Sequence, residues 1–535
     1  MAGANQVKLN IFRIPEDEVN LLEAKLLSVG MAILGEIDQG KWTGKLFYAE
    51  GIPGTPVAWA KYFLPYFEEG TDPKNTNHFA ALIFTCETGS YALSFGKSHF
   101  YFRPFCDHDF GIELAKRIAD EDDARETSSK RFTGRQRKAI KSFSSGTHLN
   151  FESGESVDYI SAAVLPEKTN VFGRTAKFGA SVMLIPDIKF HEIGALLSEI
   201  DAQRGLEPNF ALPRTVLLSD PAEVEKYDAL LLDELMSSAG TTEFTQNSYD
   251  LYGVDFVFGS VGHYVLKIGR QSKDLTQLTM LELKDFIRVN SIPRASILSI
   301  KVVHHQEDGP TYQNDLKQDL DFILDDDRVI LSAGRWMRFN QDYLDFLDDY
   351  VRSIEVEVTE SQFTTTYLTE PNFNKSEELA EAGYELADKD FSIFKTKSAT
   401  AIEAWDLKRG GTVYAVKFGT SQKLGYVCDQ AMGVLELLRN RAAIKEVPGF
   451  EKYCLWLGYR GKLLPGNIAD TGSIILKQKI EGWARQAESL GITPVIKLSH
   501  RLRAGIDDVE DAPAGIPLAT ARADNTSKVR FRPTS

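Results

Sequence analysis

The hydrophobic pattern changes period several times along the 535-residue chain, and each change marks a different kind of element. Near the amino terminus "VKLNIFRI" alternates apolar and polar positions and predicts a strand. "EDEVNLLEAKLLSVG" then takes helical spacing, with Leu21, Leu22 and Leu26 on one face. "GKLFYAEGIPG" and "AALIFTCETGSYALSFGKSHFYF" are β-rich runs broken by glycine, as in an antiparallel meander. From "GIELAKRIADEDDARETSSKRFTGRQRKAIKSF" onward the period reads as helical. A mixed region follows, in which "FGRTAKFGASVMLI" sets Arg174 and Lys177 among small residues and favours a turn. Helices then alternate with strands, for example "AEVEKYDALLLDELMSS", "HYVLKIG" and "LTQLTMLELKDFIRV". "DLKQDLDFILDDDRV" reads as an acidic helix and lacks the Gly and closing Glu of an EF-hand loop. His304 and His305 are adjacent, so on a strand they face opposite ways and share no metal.

The last third gives a definite order of elements. "SEELAEAGYEL" is helical, with Ser376 at the N-cap. "FSIFKT", "TAIEAWD" and "TVYAVKF" are three strands, the last two joined by a Gly-Gly turn. "KLGYVCDQAMGVLELLRN" is a helix whose buried stripe is Leu424, Val427, Ala431, Val434 and Leu438. "YCLWLGY" is a buried strand, "SIILKQKIEGWARQAESLG" a helix and "TPVIKL" a final strand. The fold class expected is multidomain α+β or α/β, with a β-rich mixed N-terminal region and a C-terminal α-β-β-β-α-β core. The expected segments are 1–185 (mixed, with a basic helix), 186–372 (α/β), 373–511 (the core) and 512–535, a tail rich in Pro, Ala and polar residues expected to be poorly ordered.

Composition narrows the class. A chain 43% hydrophobic and 26% charged can bury a core, which excludes disorder over most of its length. No apolar run approaches the roughly 20 residues a membrane span needs, and the first residues lack the regions of a signal peptide. A cytoplasmic location without a membrane partner is the expectation. Cys86, Cys106, Cys428 and Cys454 show no metal-binding spacing and are expected to be reduced thiols. The formal charge of −15 disfavours a uniformly basic surface but leaves room for a local basic groove. The strongest candidate is Arg125, Lys130, Arg131, Arg135, Arg137, Lys138 and Lys141, facing either solvent beside "DEDDARE" or the phosphates of DNA or RNA. Arg174 and Lys177 join that candidate set because glycine beside basic groups lets a backbone approach phosphate.

The element order and two residues of the C-terminal hairpin resemble the PD-(D/E)XK nucleases, or restriction-endonuclease-like core. There the second strand ends with an Asp, the third carries [D/E]-x-K, and the next helix adds a polar residue. Asp406, Lys417 and Gln430 match these positions. The resemblance implies Mg²⁺, a hard cation held by carboxylate oxygens, which activates water and neutralises charge on a phosphate. Two residues before Lys417 stands Ala415, where that pattern has an acid. The second carboxylate must come from another element: Glu377, Glu378 or Glu381 before the hairpin, Glu403 beside Asp406, or Glu436 after it. Glu378 is taken with Asp406 as the metal pair, and Asp406, Lys417, Gln430 and Glu378 as the catalytic set.

A wider resemblance covers about residues 7 to 500. "ALSFGKSHFYFRPFCDHDFGIELAKRI", "RQRKAIKSF" and "IEAWDL…YAVKFGTSQKLGYVCDQAMGVLELL" resemble a sporadically distributed prokaryotic family of unknown function. Phe95, Gly96, Asp109, Phe110, Gly111, Glu403, Asp406, Leu407, Val416, Lys417, Ser421, Leu424 and Gln430 carry the match. Ala415 and "GYVCDQA" depart from it. The family's scattered distribution implies antiviral defence, with partner proteins of a defence operon or a homo-oligomer as compatible assemblies. "YAVKF" also resembles the corresponding strand of Mrr-type restriction enzymes. Two other classes stay open: a non-catalytic sensor of nucleic acid or phage protein, and a kinase-like phosphotransferase suggested by "GGTVYAVKFG". Against the kinase, the "DFG" at 109–111 precedes the lysine and too little chain follows it.

Overall fold

The computed structural model describes residues 8–52, 58–68, 77–132, 138–236, 254–256, 261–305, 311–387, 405–439 and 449–502. The chain divides into two compact units: 1–131, 136–217 and 340–343, and then 132–135, 218–339 and 344–535.

The first unit contains β1 (Leu9–Ile14), α1 (Glu16–Ser28), β2 (Ala32–Gln39), β3 (Trp42–Ile52), β4 (Asn77–Cys86), β5 (Gly89–Phe95) and α2 (His99–Phe102). α3 (Phe110–Ile118), β6 (Ala119–Lys130), β7 (Lys138–Thr147), β8 (Ser156–Val164), α4 (Thr169–Phe172), β9 (Thr175–Phe178), β10 (Val182–Leu184), α5 (Ile193–Arg204) and β11 (Thr215–Leu217) follow. Ten of these strands form one antiparallel sheet in the order β2-β3-β4-β5-β1-β10-β9-β8-β6-β7. The meander expected from the alternating runs is its β2–β5 half. On α1 the buried stripe is Val19, Leu22 and Leu26, whereas Leu21 is 55% exposed.

The helical reading of the basic stretch is corrected. "ADEDDARETSSK" is β6, held on one side by β7 and on the other by β8. Its Glu, Ala and Arg residues favour helices, but two ladders of backbone hydrogen bonds override that preference. The "DFG" has a packing role. A side chain at Gly111 would meet the carbonyl oxygens of Gly179 and Ser181 at 2.4 Å, so only glycine lets α3 rest on the β9–β10 turn. Asp109 beside it pairs with the buried Arg214; burial nonetheless raises its carboxyl above the usual range.

The second unit opens with α6 (Pro221–Met236), β12 (Val254–Phe256), β13 (Val261–Ile268), β14 (Gln271–Gln277), α7 (Met280–Val289), β15 (Lys301–His305), β16 (Tyr312–Asp315), β17 (Leu320–Leu324), β18 (Val329–Ser332) and β19 (Arg335–Phe339). Antiparallel pairing joins β14-β13-β15-β16 and, separately, β19-β18-β17-β12. The expected acidic helix is a second correction: after one short 3-10 turn it is β17, with Asp321 buried. His304 and His305 do diverge. His304 is buried 2.7 Å from Asp319, and His305 stacks on His263.

After α8 (Gln341–Ser353) come β20 (Glu355–Glu357), β21 (Thr365–Thr366), α9 (Glu370–Asn374), α10 (Glu377–Glu381), β22 (Glu385–Leu386), β23 (Leu407–Arg409), β24 (Thr412–Gly419), α11 (Ser421–Arg439), β25 (Lys452–Tyr459), α12 (Ile474–Ser489) and β26 (Thr493–Arg501). They build a sheet in the order β20-β26-β25-β24-β23-β22. β22, β23 and β24 are antiparallel, which short turns allow. β24, β25 and β26 are parallel, so α11 and α12 serve as crossovers. On α11, Leu424, Val427, Ala431 and Val434 are buried as the spacing predicts. "FSIFKT" and residues 400–404 lie outside the described residues. The described part of "TAIEAWD" is no strand end: β23 begins just after Asp406.

One face of this sheet packs Tyr414, Val416 and Phe418 with Trp456, Cys454, Phe373 and Tyr384. Within that face Lys497 is fully buried and donates to Glu357, Glu360 and Tyr384 at 2.7, 2.7 and 2.8 Å. Arg409 clamps the same two glutamates. All four cysteines are free thiols. No helix among the described residues is long and apolar enough to cross a membrane.

Candidate active site

The β23–β24 hairpin turns at Gly410, whose φ of 57° suits glycine, and pairs Leu407 with Tyr414 and Arg409 with Thr412. β23 is only three residues long, so it covers β24 no further than Tyr414. Beyond that point the backbone N–H groups of Val416 and Phe418 need other acceptors. Two carboxylates supply them. Asp406 Oδ2 accepts from Val416 at 2.7 Å, and Glu370 Oε2 accepts from Phe418 at 3.3 Å. N–H groups two residues apart on a strand are separated by roughly 7 Å, so the two acids stand in a row along the sheet edge.

Side chains alternate on β24, and Ala415 and Lys417 face away from the Trp456 core. The Lys417 ammonium donates to Glu370 Oε1 at 3.2 Å. Asp406 Oδ1 accepts from the Asn374 amide at 3.2 Å. Gln430 of α11 lies exposed at the wall of the same cleft. Glu370, Asp406, Lys417 and Gln430 line, with Trp405, Ala415, Val416 and Tyr453, a cavity of about 50 Å³. That is space for one or two waters (liquid water takes about 30 Å³ per molecule). Burial, and then the charge of Asp406, raises the Tyr453 phenol above its ordinary range, so Tyr453 is a neutral wall.

Three of the four residues expected to be catalytic therefore share this cleft: Asp406, Lys417 and Gln430. Glu378 is exposed on α10 and is not among the lining residues. Glu377 and Glu381 are exposed as well, Glu436 is half-buried on α11, and Glu403 lies outside the described residues. The carboxylate that meets Lys417 is Glu370, one short helix earlier. The sequence signal for it is slight: "TEPNFN" has Pro just inside a helix start and an acid and an amide four apart, hence on one face.

Among the described residues most of the basic stretch is paired with carboxylates. Lys130 pairs with Asp158 at 3.0 Å, Arg131 with Glu152 at 2.7 Å, and Lys141 with Glu152 and Glu155 at 3.3 and 3.4 Å. Lys138 is exposed at the start of β7; Arg135 and Arg137 lie outside the described residues. Arg174 is exposed before the β9–β10 hairpin, and the Lys177 ammonium sits 5.9 Å from the ring centre of Tyr159.

Among the described residues no three or more His, Cys, Asp or Glu side chains converge as a metal cage. Asp406 and Glu370 are the two carboxylates among the described residues that line the cleft, and a cation there could take only one or two carboxylate ligands with water or substrate oxygens for the rest, the habit of Mg²⁺ rather than Zn²⁺. No curated protein and no solved structure matches the chain. A family model described as "Family of unknown function (DUF6119)" matches residues 11–447, a span that includes Glu370, Asp406, Lys417 and Gln430. The chain belongs to this family of unknown function.

Proposed function

We propose that the protein is a metal-dependent nuclease, hydrolysing phosphodiesters of DNA or RNA through a modified PD-(D/E)XK site, and that it acts in the cytoplasm as part of a bacterial antiviral defence system. One observation carries the reading: Glu370 holds Lys417 beside Asp406 and Gln430, at the end of a β22–β23–β24 meander followed by α11 and the parallel β25. This supplies, from α9, the acid that Ala415 cannot.

In this reading Asp406 and Glu370 would hold Mg²⁺. When bound, the cation neutralises charge on the phosphate and activates water. Lys417 places a positive charge beside the scissile phosphate, where charge develops in the transition state. Glu370 fixes that ammonium in position, and the methyl of Ala415 leaves the cleft open between the acids. Gln430, which lines the cleft, would donate a hydrogen bond to a phosphate oxygen or orient water.

The competing reading, a non-catalytic sensor of nucleic acid or phage protein, has one observation in its favour. Both carboxylates already accept hydrogen bonds from the backbone of β24 beyond the end of β23. Incubation of plasmid, linear DNA and RNA in Mg²⁺ and in Mn²⁺ separates the two. The nuclease reading expects cleavage by the wild type and its loss in Asp406→Ala and Lys417→Ala. Binding without cleavage supports the sensor, and cleavage equal in all three proteins contradicts the assignment.

A further inference from the structure

α9 is five residues long, yet it reaches both charged groups of the cleft. Glu370 and Asn374 stand four apart and so share a face. Glu370 engages Lys417 while Asn374 Nδ2 donates to Asp406 Oδ1. The helix is fixed from behind by Phe373, whose ring packs on Phe418 at 4.9 Å and on Trp456 at 5.1 Å between centroids.

Asn374 is only 7% exposed, and its Oδ1 is buried without a hydrogen-bond partner. A buried, unpaired amide oxygen costs stability. Turning the amide over would set that oxygen against the Asp406 carboxylate, so the charge of Asp406 fixes the orientation that leaves it orphaned. If packing alone decided this position, an apolar side chain would fill it without the orphan.

We infer that Asn374 is a positioning residue for Asp406: its amide locks the rotamer of the carboxylate that faces the cleft, at the expense of a buried unsatisfied oxygen. The inference rests on the nuclease reading. It assigns α9 a double task, with Glu370 ordering the lysine and Asn374 ordering the acid. Partners that orient a metal-binding carboxylate are worth about 10- to 100-fold in metal affinity or activity.

The test uses the full chain and Mn²⁺ alone as the probe, comparing wild type, Asp406→Ala and Asn374→Leu by calorimetry, with thermal unfolding of the metal-free proteins. Asn374→Leu is expected to bind Mn²⁺ about tenfold more weakly, with a cooperative unfolding transition of the metal-free protein showing that it is folded. With DNA as substrate, kcat should fall while KM stays within about twofold, as for an interaction felt in the reaction rather than in substrate binding. Should Asn374→Leu not fold, Asn374→Ser, which adds no bulk, is expected to show the same loss of Mn²⁺ affinity. Unchanged Mn²⁺ affinity in the Asn374 variant, with affinity lost in Asp406→Ala, overturns the positioning role and leaves the nuclease reading standing. Unchanged affinity in Asp406→Ala overturns both.

Discussion

Glu370 and Lys417 form a two-point contact: one carboxylate oxygen takes the lysine ammonium, and the other takes the backbone N–H of Phe418, the next residue along β24. The acid thus closes the sheet edge and orders the lysine at once. Removing it has a structural cost separable from any chemical one. Glu370→Ala leaves the Phe418 N–H unpaired and should lower stability by about 1–3 kcal/mol. Glu378→Ala, at an exposed position on α10, should stay within about 0.5 kcal/mol. Urea unfolding of the two variants checks this.

On the other face of the same sheet, Lys497 and Arg409 neutralise Glu357 and Glu360. Lys497→Met removes one of the two cations on these partly buried carboxylates, which keep Arg409, and should cost about 1–3 kcal/mol, the range for losing hydrogen bonds to a charged group. Chemical denaturation near neutral pH measures it.

The same network predicts an acid transition. Burial alone would raise the Glu360 carboxyl, but hydrogen bonds from Lys497 and Arg409 hold it down to about 2, against an ordinary value of 4.5. A depressed carboxyl stabilises the fold above its unfolded value and loses that contribution as protons bind. Stability should therefore fall between about pH 4.5 and pH 2. Replacing Glu360 by Gln should flatten that part of a stability-versus-pH curve.

Asp325 caps the start of α12. It accepts from the Ser473 hydroxyl at 2.7 Å and from the N–H groups of Ile474 and Ile475 at 3.1 and 3.3 Å. Burial nonetheless raises its carboxyl above the usual range. Asp325→Ala should cost about 1–2 kcal/mol, as for other lost N-caps. Asp325→Asn keeps an acceptor while removing a buried charge, and should cost less. Thermal unfolding of the pair distinguishes them.

For nucleic-acid binding, the ion pairs of β6 and β7 sort the candidate residues. Lys130 and Lys141 already have carboxylate partners, so Ala at those positions should leave the salt dependence of DNA binding nearly unchanged. Ala at Arg135, Arg137 and Lys138 together should flatten it, because each phosphate that a cation no longer neutralises takes away about one unit of slope. Binding titrations over a range of salt concentrations report both.

Much of the C-terminal sheet is legible in the sequence because its strands are buried and continuous and its crossover helices carry clear stripes. Asp406 and Lys417 are legible because a Gly-Gly turn between two apolar runs sets which ends meet. Glu370 is not. It lies 36 positions before Asp406 on a helix too short to show a period, and only the folded sheet edge brings it to Phe418. β6 reads wrongly for a different reason: its composition favours a helix, and the pairing that overrides it comes from β7 and from the distant β8. β17 misleads in the same way, its aspartates outweighing the short apolar run "LDFIL" that pairs in the sheet.

The assignment of Glu370 as the second acid is tested most sharply by comparing Glu370→Gln with Glu378→Gln in a Mg²⁺-dependent cleavage assay on linear DNA and RNA, alongside the wild type. The wild type should cleave. Glu370→Gln should lose at least about a hundredfold, a range typical for removing a group that stabilises transition-state charge, and Glu378→Gln should not change. Loss in Glu378→Gln with activity kept in Glu370→Gln would contradict the site. Absence of cleavage by the wild type on every substrate, in Mg²⁺ and in Mn²⁺, would contradict the function.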